Sequence, residues 1–343
     1  MKKYFILSVF FVTASMLLRA QTLDSLQLRL IASEILNKSQ AYENLRYLTK
    51  QIGGRLAGSE GMKKSEQWGA RMMKEAGADT SWLQACQVPH WNRGGKDQAT
   101  AITSNGNRKE LNVIALGNSM GTGKNGIDAE VIMVRDFDEL EKMKDEIKGK
   151  IVFYDYRFKN EFVNTFQAYR DASPYRGQGP SRAAKYGAVA VIVRSLSHSV
   201  DNNPHTGSTR YDTNYAKIPA VAIGLRDADW LSLQVSLVKK TGASAPVKVK
   251  LVTNGHFLPD ATGHNVIGEL RGSAFPDQVI TVGGHLDSWD NCEGAHDDGA
   301  GCVQTIEILR SFRAIGFKPQ RTIRFVLFAN EENGLRGGNK YAD

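Results

Sequence analysis

Residues able to do chemistry concentrate in two short stretches, 283–298 and 330–334. The first opens Gly283-Gly284-His285-Leu286-Asp287-Ser288-Trp289-Asp290 and runs on to Asp297-Asp298. In an extended segment residues i and i+2 face the same way. Asp287 can therefore accept the second ring N–H of His285 and fix its tautomer for a metal. Alone, His-x-Asp is a weak signal, and a bland loop is the better reading of it. Residues 285–298, however, hold Asp287, Asp290, Glu293, Asp297 and Asp298 with no Lys or Arg, a window of −5 in a chain of net charge +8. A solvated acidic loop would have the same composition, but carboxylates gathered beside a His at a strand end repel one another unless a cation or protons intervene. The second stretch, Asn330-Glu331-Glu332-Asn333-Gly334, follows the mostly apolar run Thr322–Ala329. Two adjacent carboxylates at the end of a buried strand are costly to desolvate without a partner. Zinc is a fitting partner, because one Glu can ligate while the other takes the proton of a metal-bound water. Oxygen and nitrogen ligands, a bridging carboxylate and a separate carboxylate base make up a two-zinc hydrolase, with metals about 3.5–4 Å apart.

The surrounding pattern supplies elements to position these groups. Gln278–Gly284 reads as a buried-type strand, Val303–Ile315 as a helix and Thr322–Ala329 as a second apolar strand. A strand–helix–strand unit implies parallel strands joined by a right-handed crossover. Loops at the carboxyl ends of such strands are where α/β proteins place their sites, and both stretches fall there. Upstream, residues 22–51 have helical periodicity, Gly53-Gly54 ends that run, and Gly58-Ser59 opens a second helix to about Ala76. Strand-like runs from Ala99 to Leu116 flank a Ser104-Asn105-Gly106-Asn107 turn. From about Ile127 to Lys248, short strands (Ala129–Val134, Lys150–Tyr154, Val189–Arg194, Ile218–Ile223) alternate with helices, Arg182–Tyr186 among them. A polar loop spans Ser197–Tyr215, and the block reads as an α/β unit of its own.

The motifs Gly-Gly-His-Leu-Asp-Ser-Trp-Asp, Gly-Ala-His-Asp-Asp-Gly-Ala-Gly and Asn-Glu-Glu-Asn-Gly resemble those of the co-catalytic zinc exopeptidases of the aminopeptidase/glutamate carboxypeptidase family, nearest its carboxypeptidase Q branch. The likeness extends to Ile52–Ser59, Val88–Gly94 and Pro204-His205-Thr206-Gly207, and so to essentially the whole chain after the leader. It implies an α/β fold, with a phosphorylase/hydrolase-like three-layer α-β-α catalytic domain in two parts, 21–126 and 249–343. Between them, 127–248 resembles a protease-associated α/β insert, which in the family helps wall the substrate cleft. By the same resemblance His285 binds one Zn2+, Asp297 bridges two, Glu332 binds the second, Glu331 is the general base and Asp287 orients His285. Short peptides, dipeptides in this branch, are the implied substrates, and a homodimer is compatible with the likeness. The family's last two ligands, an Asp and a His, lie well beyond the Glu-Glu motif, whereas Asp343 is eleven residues after Glu332. Each zinc is then one ligand short of three. The expectation is a C-terminally truncated, inactive fragment of a longer enzyme.

Composition narrows the rest. With 343 residues, 41% hydrophobic and 23% charged, the chain is neither collagenous, coiled-coil nor wholly disordered. Its 44 Lys+Arg against 36 Asp+Glu include no basic block of five or more, which argues against a nucleic-acid partner. Met1-Lys2-Lys3, the uncharged run Tyr4–Leu18 and Arg19-Ala20-Gln21 read as a cleaved secretory signal, residues 1–20. The apolar run is shorter than the roughly 20 residues that span a bilayer. Export to the periplasm or exterior, with no stable membrane anchor, is therefore expected. Lys2, Lys3 and Arg19 leave with the leader, so the mature charge is +5. Gly117-Asn118-Ser119-Met120-Gly121 matches the G-x-S-x-G elbow of serine hydrolases, yet Thr122–Gly126 is a poor start for the helix that must follow. A non-catalytic peptide-binding module is the other alternative, and the carboxylates of Asp297 and Glu331 speak against it. His198, His256 and His264 read as solvent-facing loop residues and His296 as a rim residue. A Cys292–Cys302 pairing stays open.

Overall fold

The computed structural model describes residues 24–343; the expected leader lies outside them. In chain order, helices α1 (24–38) and α2 (Ala41–Tyr47, prolonged by a π-helical turn Leu48–Ile52) precede α3 (Glu60–Glu75) and the long strand β1 (Thr80–Asn92). Next come β2 (Gln98–Ile102), β3 (Arg108–Leu111), β4 (Val113–Ala115), β5 (Ile127–Val134), α4 (Phe137–Lys142), β6 (Ile151–Tyr154), α5 (Thr165–Gly177) and α6 (Gly179–Ala184). Strands β7 (Ala190–Arg194) and β8 (Ala220–Ile223), α7 (Leu225–Thr241), β9 (Lys248–Val252) and β10 (His256–Leu270) lead to β11 (Phe275–His285), α8 (Ala300–Ala314), β12 (Arg321–Phe328) and α9 (Arg336–Ala342). The chain divides into two compact units. One is built from residues up to Val88 with Thr262–Glu331 and Leu335–Asp343; the other is Pro89–Ala261 with Glu332–Gly334.

The second unit is organised by strict alternation. Its eight-stranded sheet has the order β3-β2-β9-β5-β6-β7-β8-β4, with β5 through β8 mutually parallel. Val131, Met133, Ile151, Phe153, Ala190 and Ile192 face one core, shared with Ala228, Leu231 and Val235 of α7. Ile132, Val134, Val152, Tyr154, Val191 and Val193 face the other, with Leu140 of α4, Tyr175 of α5 and Ala183 of α6. Successive side chains of a strand point to opposite faces, so a parallel sheet covered on both sides reads as an unbroken apolar run.

The first unit carries the two chemistry-bearing stretches. Its four-stranded sheet has the order β1-β10-β12-β11. Strands β11 and β12 are parallel, with Gly283 opposite Val326 and His285 opposite Phe328, as the strand–helix–strand pattern implied. Helix α3 starts at Ser59, whose side chain accepts from the Met62 N–H at 3.1 Å. It buries Met62, Trp68 and Met73, and at Gly69 it comes so near β12 that a Cβ would sit 2.9 Å from Leu327 Cδ1.

One expectation fails here. The run 278–284 was expected to be a buried-type strand, yet Val279 and Ile280 are 42% and 49% exposed. Strand β11 is the edge of its sheet, and adjacent residues point to opposite faces, so at Val279 and Ile280 neither face is closed among the described residues. An apolar run reports affinity for a core, not whether a neighbour is there to form one.

Candidate active site

The parallel register of β11 and β12 makes their following loops emerge side by side. The Leu286 N–H donates to Phe328 O at 2.7 Å, extending the pairing one residue past His285. Beyond Phe328 the chain turns at Asn330, fully buried with φ +60, a left-handed conformation that Asn tolerates better than most residues. The turn closes through Leu335 N–H to Asn330 O at 2.5 Å. It delivers Glu331 to the first loop, where its N–H donates to Asp287 Oδ1 at 2.9 Å.

His285 is the centre of the resulting cluster. Its Nε2 lies 2.9 Å from Asp297 Oδ1 and 4.0 Å from Glu331 Oε2. On the opposite side of the ring, Nδ1 is 3.1 Å from the Asp287 carbonyl and 3.6 Å from the Asp287 carboxylate, which is fully buried. The i, i+2 relation thus brings Asp287 to His285, with the closer contact made by the carbonyl. Asp298, adjoining Asp297, braces the strand end: its Oδ2 accepts from His285 N–H at 2.9 Å and its Oδ1 from Gly301 N–H at 3.1 Å. Gly284 and Gly301 make room for it, since a Cβ on either would stand 2.4 Å from a carboxylate oxygen of Asp298.

Burial works against a charge on His285, but Asp287, Asp297 and Glu331 overcome it and push its pKa up to about 11. Asp297 is held low by its bond to His285. Glu331 is shifted the other way, first by burial and then by Asp287, Asp297 and Asp298, against the pull of His285. A carboxylate raised in this manner takes up a proton more readily than an ordinary one, as a general base requires.

The donors fit a zinc-type cation in kind. Imidazole nitrogen and carboxylate oxygen are its usual ligands at about 2.0–2.2 Å, which places two donors roughly 3.4 Å apart across a tetrahedral ion. The 2.9 Å gap between His285 and Asp297 would have to open by about half an ångström. Glu332 follows Glu331 and is half-buried. No group of three or more His, Cys, Asp or Glu side chains among the described residues is arranged to hold a metal ion.

Residues 265–343 match peptidase family M28. A crystal structure of a peptidase M28 precursor from Shewanella amazonensis SB2B shares the fold with a TM-score of 0.83 and 33% identity, covering 91% of this chain and 68% of that one. The chain belongs to peptidase family M28. This M28 chain is also 38% identical over 304 residues to carboxypeptidase Q of Xenopus laevis, covering 89% of itself and 61% of that protein. It spans about three fifths of the length of the curated relatives it matches. The zinc aminopeptidase structure from Bacillus subtilis, at 23% identity and a TM-score of 0.60, covers 88% of this chain and 64% of that one, a likeness in fold.

Other residues of the M28 chain fall differently from their sequence reading. Ser119 is fully buried; its hydroxyl accepts from Ala220 N–H at 2.8 Å and donates to Met120 O at 3.1 Å. Such a hydroxyl is structural, and no helix follows it, so the G-x-S-x-G match marks a packed turn. His256 and His264 lie on β10, not in loops. His264 is gripped by the buried Glu66 of α3, through its N–H at 2.8 Å and Nδ1 at 2.9 Å. All three cysteines are free thiols, and buried Cys302 donates to the His285 carbonyl at 3.0 Å. Two contributors had no role assigned from sequence. Asp298 entered only as one carboxylate among several, and Arg55 only inside the Ile52–Ser59 likeness.

Proposed function

We propose that this protein is a metal-dependent exopeptidase that uses zinc to hydrolyse terminal peptide bonds of dipeptides or short peptides. The observation that carries the reading is the convergence of Asp297 and Glu331 on the outer nitrogen of His285, with Asp287 behind the ring. His285, Asp297 and Glu332 are the residues that would hold the metal, with Asp297 the one that would be shared if two ions bind. Bound zinc would supply Lewis acidity at the scissile carbonyl and acidify the attacking water. Glu331 takes the proton of that water and returns it to the leaving amine, a role that its raised affinity for protons supports. Asp287 holds the His285 ring so that Nε2 faces outward. Membership of family M28 and the likeness to carboxypeptidase Q support peptides as the substrate class.

Residues 127–248 are read as a protease-associated insert, a reading supported by the parallel strands β5–β8 and helix α7 within that range. The basic, apolar leader supports export. No helix among the described residues is long and apolar enough to cross a membrane.

The proposed ligands give each ion two protein donors rather than three. Residues 21–343 alone should therefore bind zinc weakly and hydrolyse dipeptides poorly. Zinc titration with alanine variants tests the ligand set: His285→Ala and Glu332→Ala should each weaken binding by tenfold or more. Glu331→Gln should leave zinc affinity intact while abolishing whatever peptide hydrolysis the protein shows. Unchanged zinc binding in His285→Ala would overturn the assignment.

A further inference from the structure

Arg55 is the largest fully buried side chain among the described residues, and the proposed reaction makes no use of it. Its guanidinium is spent on backbone carbonyls. Nε donates to Leu286 O at 2.5 Å, Nη1 to Glu293 O at 2.7 Å and to Gly53 O at 3.3 Å, and Nη2 to Gly294 O at 2.8 Å. Leu286 directly follows His285, and Gly294 lies three residues before Asp297. One planar group thus joins the beginning and the end of the loop that separates two proposed ligands. Backbone contacts run alongside, with Arg55 N–H to Ser288 Oγ at 3.3 Å and Ser288 N–H to Arg55 O at 3.4 Å. The fit is close enough to dictate Gly294, at φ +56: a Cβ there would lie 2.4 Å from Ser288 Cβ and 2.8 Å from both terminal nitrogens of Arg55.

A guanidinium away from water is tolerated only when its donors are satisfied. Its fixed fork can address carbonyls on separate strands of chain at once, which the single ammonium of a lysine does not reproduce. We infer that Arg55 is a positioning residue that forms the 286–294 loop before any metal binds, and so sets the spacing of His285 and Asp297. Metal sites often gain their order from the ion itself; here a resident cation does that work. The consequence for metal affinity rests on the zinc-exopeptidase reading, whereas the consequence for loop order does not.

The test is amide hydrogen exchange on the full chain treated with chelator, followed by titration with Co2+ as a spectroscopic probe. In the untreated sequence, the Ser288 and Gly299 amides, bonded to Arg55 O and Gly294 O, should be protected without metal. Arg55→Met should speed their exchange by about tenfold or more while the amides of β6 and β7 stay unchanged. It should also weaken Co2+ binding by about tenfold to a hundredfold. Arg55→Lys should fall between. Free exchange of this loop in the metal-free wild type would overturn the inference, even if the methionine variant fails to fold. So would an Arg55→Met protein with wild-type exchange and wild-type Co2+ affinity. A wild type that protects the loop yet binds no Co2+ would support the positioning role and instead refute the metal-centre reading.

Discussion

His285 is held protonated by Asp287 and Asp297, and this has measurable consequences. Its pKa of about 11 in the metal-free fold exceeds the ordinary value near 6.5. The stabilisation is therefore complete below about pH 6.5 and is lost as pH rises through about 11. Urea unfolding of chelated protein should show the advantage of wild type over His285→Asn shrinking steadily from pH 6.5 to 10. Metal binding has the opposite trend, because the imidazole must give up its proton when His285 takes its ion. Co2+ affinity should accordingly rise by about tenfold per pH unit between pH 6 and 8. At the structural serine, Ser119→Ala should cost about 1–2 kcal/mol by stranding the Ala220 N–H, with no direct effect on peptide hydrolysis. Loss of hydrolysis at full stability would return Ser119 to the list of nucleophiles.

Among the elements, precision at the site comes from two parallel strands and the glycines that let a carboxylate between them and α8. Gly284 on β11 and Gly301 on α8 both abut Asp298. Gly284→Ala would press a methyl to within 2.4 Å of Asp298 Oδ2. It is expected to destabilise the fold by about 1–3 kcal/mol and to release the His285 N–H from Asp298, giving faster exchange of that amide. The strand–helix–strand arrangement was readable because the apolar runs and the intervening helix have different periods. The His-x-Asp relation was readable because strand geometry fixes it. The grip of Arg55 was not, since its acceptors are carbonyls, which every residue carries and no motif displays. His264 was misread for a related reason: its partner Glu66 is 198 residues earlier, and only the packing of α3 against β10 unites them.

At the scale of the whole molecule, strands β5–β8 were recoverable from sequence, because burial on both faces leaves an unbroken apolar signature. Strands β2, β3 and β4 of the same sheet lie outside the block read from it, and β9 starts only at its end. The same logic misjudged β11, whose Val279 and Ile280 have that signature without the cover. Among the described residues β11 is the edge of its sheet, with Val279 and Ile280 exposed, and such an edge is a template for further strand pairing. The protein should self-associate as its concentration rises, and sedimentation velocity would record the growth. Ile280→Lys, placing a charge on the exposed strand, should keep it monomeric at concentrations where the parent assembles. On this expectation the strand that carries His285 to its partners also sets the protein's colloidal behaviour, through the far side of the element that shapes its chemistry.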